Sequence, residues 1–315
     1  MRYSLLSRFR GALLGSLIGD ILGKAGCQGL PLSQGWLTAL KAEDTQSSSR
    51  ISEWSQLATD GAQSLIHCGR LDLDDWMLSS EGTLSEVVLK SAPSSSEAAV
   101  ATLPIVLFFH EDEVKLRQQL LACSAIWQDN PDTTEGVLAV AYAIVLALTE
   151  KLNVDTLIPR TLAYLGTSQT PLVKQLEQIQ RLLEQGAGLD KTLCQLRRDA
   201  QSRGEPLAGH HTSIALAFYC FLSTPEDFHL CIRRATCTYQ PQTTATLTGA
   251  LAGVYNSLIG IPVGWRLSAN HLSSGLHRLQ LADRLLEVWS GVYDLSASAK
   301  IKCLAVAAPR VIQPR

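Results

Sequence analysis

The chain has 315 residues and a formal net charge of −2, with 46% hydrophobic and 18% charged residues. That balance suits a well-buried protein, and the lack of any basic tract argues against a nucleic-acid partner. A local basic pocket for an acidic ligand would not show in the total.

At the N-terminus Arg2, Arg8 and Arg10 precede the apolar run "GALLGSLIG", in the manner of a secretion signal. Asp20 interrupts that run, and Lys24 stands where a lipoprotein cleavage box needs an apolar residue. The longest uncharged apolar run, Gly136 to Thr149, is too short to span a bilayer. The expectation is a cytoplasmic protein with no membrane partner.

Strand signals are scarce and helical periodicity is widespread. The pattern predicts helices over 8–23, 55–67, 96–109, 113–128, 134–150, 154–165, 170–185, 211–222, 226–236, 243–259 and 271–289. Polar loops are expected at 41–53, 90–97 and 199–211, and a loose tail at about 306–315. No loop is long enough to divide the chain, so 1–315 reads as one all-α domain with its core at about 8–290. Most of the eight cysteines lie in apolar helical patterns and are expected to act as small buried hydrophobes.

Two helices are unusual. In the first, Gly11, Gly15, Gly19 and Gly23 recur every four residues and fall along one face. Each glycine costs about 1 kcal/mol relative to alanine in a helix, so four on one stripe imply close backbone approach. The helix after "TYQPQTT" carries a matching small face of Ala245, Gly249, Ala252 or Gly253, and Asn256. Tight helix crossing explains both stripes but not Asp20, which sits inside the first helix.

Few residues announce chemistry. Thr59 and Asp60 in "QLATDGAQSLI" are candidates to cap a helix start, or to offer oxygens to a cation or a sugar hydroxyl. His67 and Cys68 are adjacent at a helix end and are not expected to face one way. Asp72, Asp74 and Asp75 most simply open an exposed helix. "HH" at 210–211 has no Cys or carboxylate at ligand spacing, and no GxSxG, GxGxxG, P-loop or HExxH occurs.

Three segments together resemble the ADP-ribosylglycohydrolase family. "RFRGALLGSLIGDILGKAG" is similar to the family's opening helix with its Gly-Asp-x-x-Gly, matched by Gly19, Asp20 and Gly23. "ATDGAQSLI" resembles its Thr-Asp-Asp-Thr segment. "QPQTTATLTGALAGVYNSLIGIPVGW" resembles its Asp-x-Asp-Thr segment, small-residue helix and closing Gly-x-x-x-x-Pro-x-x-Trp. The resemblance implies an all-α orthogonal bundle whose cleft holds two magnesium ions. It also implies hydrolysis of the glycosidic bond that joins ADP-ribose to an acceptor. Acidic side chains are needed there because a hard divalent cation takes charge-balancing oxygen ligands.

The departures fall on those ligands. Gly61 and Ala62 replace the second Asp and Thr of the second segment, and Gln240 and Gln242 replace both aspartates of the third. Cys27 and Gln28 stand where a further acid is expected, and Trp127-Gln128 where a Thr-His is. Asp60 is the carboxylate left to bind a metal if any is kept, with Asp20 a second vestigial catalytic candidate. Thr59, Asp60, Gln240, Gln242 and Thr243 are the candidate ligand-binding residues. The expectation is therefore a degenerate family member without a cofactor, or with Mg²⁺ if the site is partly kept. It would bind ADP-ribose, a nucleotide-like molecule or a protein partner through a remodelled cleft. The alternatives are an active hydrolase with an altered or metal-free site, and a structural protein that uses only the scaffold.

Overall fold

The computed structural model describes residues 3–27, 51–80, 93–126, 131–166, 170–202 and 212–291. Gln28, Trp127, Gln128, the 210–211 histidine pair and the C-terminal tail lie outside them, as does most of each loop expected at 41–53 and 199–211. Of 90–97, residues 93–97 are described, and Ser94 and Glu97 form a capping box that opens a helix there. The described residues contain helices and no strand.

The helices are α1 (Leu5–Cys27), α2 (Glu53–Cys68), α3 (Leu73–Ser80), α4 (Ser95–Ala101), α5 (Leu103–Phe108), α6 (Glu113–Ile126) and α7 (Pro131–Leu148). After a 3-10 turn at Val154–Thr156 come α8 (Leu157–Leu165), α9 (Pro171–Glu184), α10 (Leu189–Ser202) and α11 (Thr212–Leu222). The last four are α12 (Phe228–Ala235), α13 (Pro241–Gly260), α14 (Val263–Asn270) and α15 (Ser273–Trp289).

The first helix is buried on all sides from Gly11 to Gly23, as befits a helix that is apolar all round. It runs antiparallel to α13, and the two glycine stripes are each other's partners. A Cβ on Gly11 would lie 2.1 Å from the Gly253 carbonyl oxygen, one on Gly15 2.3 Å from that of Gly249, and one on Gly19 2.0 Å from that of Ala245. The contact is reciprocal, since a Cβ on Gly249 would lie 2.1 Å from the Gly15 oxygen. The backbones touch, so the crossing admits no side chain at all. It also sets the register that lays Gly23 and Asp20 against the first turn of α13.

Several boundaries differ from expectation for local reasons. The helix expected at 96–109 breaks at Thr102, because Pro104 lacks an N–H and its ring opposes the carbonyl of Val100. Helix α10 was expected to be partly loop. Its buried stripe is only Thr192, Leu196 and Ala200, too thin to signal strongly. Helix α14 was also missed, and α13 departs from helical geometry at Ser257 (φ 60°, ψ −178°). Helix α7 starts at Pro131, ahead of its apolar run, and so becomes long and apolar enough to cross a membrane by length and composition, contrary to the expectation above. Most of it is nevertheless buried within the protein, against α4, α6, α8 and α13. The cysteine expectation holds for Cys123, Cys220 and Cys231, whereas Cys194 and Cys237 are exposed and Cys68 is half-buried.

Candidate functional site

Asp20 is wholly buried, and both its oxygens are used. Oδ2 accepts from Ser52 N (2.9 Å) and Ser52 Oγ (3.1 Å), while Oδ1 accepts from Gln242 Nε2 (2.8 Å). Ser52 is in turn the N-cap of α2, its Oγ accepting from Ser55 N at 3.2 Å. The carboxylate of α1 thus ties the start of α2 to the first turn of α13. Burial drives its pKa above the ordinary aspartate range, and the donors of Ser52 and Gln242 pull it part of the way back. Ser55 Oγ lies close to the same carboxylate without a well-formed hydrogen bond.

Thr59 and Asp60 do not cap a helix. They lie mid-way along α2, buried, because Ser52 has already opened the helix. Thr59 Oγ1 donates back to Ser55 O (2.9 Å), and Asp60 Oδ1 accepts from Gln56 Nε2 (3.0 Å). Above the next residue sits Trp76 of α3, fully buried and donating through Nε1 to Leu57 O (2.9 Å). A Cβ on Gly61 would meet this indole at 2.8 Å. The acidic segment 72–75 therefore opens a helix that is half-buried, anchored by Trp76, and not a simply exposed one.

Arg278 of α15 reaches into the same region. It is 4% exposed, and its Nη2 donates to Ser55 O (2.7 Å). Burial lowers its pKa to about 10, while the charges of Asp20 and Asp60 oppose that fall, which puts both carboxylates within electrostatic reach of one guanidinium. Sequence reasoning missed Arg278. The signal was there, because Gly275, Arg278, Ala282 and Leu285 form the buried stripe of α15 at helical spacing.

Of the other candidates, Gln240 accepts from Ser213 Oγ of α11, and Thr243 is half-buried on the turn that carries Gln242. The fold thus brings Gln242 onto Asp20 directly, while Asp60 is held by Gln56 within α2 and Arg278 is held by Ser55 O. Gln240 turns toward α11. A separate cavity of about 530 Å³, lined by residues including Tyr219, Ser223 and Arg234, lies at the far end of α11 from Ser213.

One further expectation is overturned. Cys68 Sγ and His67 Nδ1 lie 3.7 Å apart, and His67 Nδ1 is 3.4 Å from Asp75 Oδ1, so the adjacent pair does face one way. The helix ends at this point, with Gly69 in the left-handed region (φ 65°), and the chain folds back over the pair.

An antiparallel glycine crossing with buried polar groups at its end organises an all-α helical bundle. The model of the ADP-ribosylglycohydrolase family matches residues 1–294, and the chain belongs to that family. The solved structure of an "ADP-ribosylglycohydrolase-related protein complex" is similar in fold, with a TM-score of 0.63 at 19% identity over 90% of this chain and 99% of that one. No curated protein matches this chain in sequence.

Proposed function

We propose that this protein is a catalytically degenerate family member, which has lost the two-magnesium site and keeps a polar cleft for an ADP-ribose-like ligand. The observation that carries this is Arg278. Its buried guanidinium donates to Ser55 O, one turn from Thr59 and Asp60 on α2. It brings a fixed positive charge into electrostatic reach of Asp20 and Asp60, where the family pattern expects a metal. Magnesium demands near-octahedral oxygen ligation at about 2.0–2.1 Å and gives up water reluctantly, so it is poorly served by a donor set with a fixed cation inside it.

The remaining donors fit no better among the described residues. Trp76 fills the space that an acidic side chain at position 61 would need. Gln242 turns its Nε2 to Asp20 and carries a neutral amide oxygen where an aspartate would bring charge. Asp60 already accepts from Gln56. Asp60, Gln242 and Thr243 are then hydrogen-bonding groups for a ribose or an amide, with no part in metal catalysis, while Thr59 and Gln240 are taken up by Ser55 O and Ser213.

Calorimetry with ADP-ribose, with and without Mg²⁺, tests this reading. The expected outcome is binding of equal strength in both, with no hydrolysis of an ADP-ribosylated substrate. Magnesium-dependent binding with turnover would overturn it. No binding at all would remove the ligand and leave a scaffold that acts through a protein partner.

A further inference from the structure

The cluster at the far end of α2 has no part in the proposal above. Cys68 and His67 end that helix, Cys68 about 12 Å along its axis from Asp60, and Asp75 stands in the first turn of α3. Cys68 Sγ, His67 Nδ1 and an Asp75 oxygen all lie within 4.8 Å of one another. We propose that these three side chains form a binding site for a borderline-soft divalent cation of the zinc class, separate from the family's cleft.

The geometry is the first argument. Bonds of about 2.0–2.3 Å at tetrahedral angles place a nitrogen and a sulfur about 3.5 Å apart, and a nitrogen and an oxygen about 3.4 Å apart. The corresponding separations here are 3.7 Å and 3.4 Å. The His67 ring is largely exposed, so small rotations that tighten the set meet little resistance.

The donor set is the second argument. One thiolate, one imidazole and one carboxylate suit zinc or cobalt and exclude magnesium, which prefers oxygen alone. Three protein ligands leave the fourth position to water.

The surroundings are the third. Ser64 Oγ donates to Asp75 Oδ2 (2.6 Å), which holds the carboxylate with Oδ1 toward His67, as outer partners of metal ligands do. The left-handed Gly69 fixes the turn that brings α3 back over the end of α2. Helix α2 also points its negative dipole end at the cluster. A thiol must give up its proton to solvent as the metal–sulfur bond forms, so affinity for such a cation rises with pH.

Cobalt, an open-shell substitute for zinc, tests the assignment by its thiolate-to-metal absorption in the near ultraviolet. Titrating the full chain with Co²⁺ should give this band at one equivalent, and Zn²⁺ should displace it. Cys68→Ser should abolish it, while a Cys194→Ser/Cys237→Ser variant retains it. His67→Gln, on an exposed side chain that the fold does not need, should weaken binding at least tenfold, and Ser64→Ala about tenfold. A band that survives Cys68→Ser or is unmoved by His67→Gln would overturn the proposal. So would the absence of any band at saturating cobalt.

Discussion

At Gly61 a single missing side chain decides what the neighbouring residues can do. Trp76 occupies the space, fixed by its hydrogen bond to Leu57 O and by complete burial. Gly61→Asp would force a Cβ to within 2.8 Å of an indole that cannot retreat. Overpacking of this kind costs about 1–3 kcal/mol, and the new carboxylate would add the cost of burying a charge. We expect a lower melting temperature that Mg²⁺ does not restore. Recovery of stability on adding Mg²⁺ would show that the metal site is latent and not lost. The indole also explains why Gly61 was legible only as a departure from the family pattern. Nothing in "TDGAQ" names Trp76, fifteen residues later, as the group that fills the gap.

Among the elements, the α1–α13 crossing organises the rest. Glycines every four residues on both helices let carbonyl oxygens of one meet Cα carbons of the other, and the register that results lays Asp20 on Gln242. Gly249→Val would place a Cβ 2.1 Å from the backbone oxygen of Gly15, which no rotamer change relieves. Urea denaturation should show a loss at or above the upper end of about 1–3 kcal/mol. Gly264 of α14 is the contrast, since nothing lies within 4 Å of its added Cβ. There Gly264→Ala should be neutral or stabilising by about 0.5–1 kcal/mol. Both stripes were visible as spacing, but that each was the other's partner required the antiparallel packing. The break at Ser257 and the helix α10 were not visible, because Ser257 lies inside an apolar helical pattern and the buried stripe of α10 is only three residues.

Over the whole molecule, stability carries the cost of burying Asp20, where α1 meets α13 and the start of α2, and Arg278, where α15 meets α2. The pKa of Asp20 is raised in the folded state, so the unfolded chain releases its proton first as pH rises. The contribution of Asp20 is thus fully present below the ordinary aspartate pKa and is lost as pH rises through the folded value. Asp20→Asn should flatten that fall in a stability–pH profile measured by denaturation. It should also lower stability by about 1–3 kcal/mol, because an amide cannot accept from Ser52 and Gln242 at both atoms. An unchanged pH profile would mean that Asp20 is not the group responsible.

The sequence by itself determined the all-α class, the glycine faces and the family pattern, because each depends on residues near one another in the chain. It also marked Asp20 as out of place in an apolar helix, though not what holds it there. Only the tertiary structure decided that Thr59 and Asp60 lie mid-helix, that Arg278 is buried against Ser55 of α2, and that His67 and Cys68 converge with Asp75. Those arrangements depend on where one helix lays its side chains against another, and spacing along a single chain does not encode the partner across a packed interface.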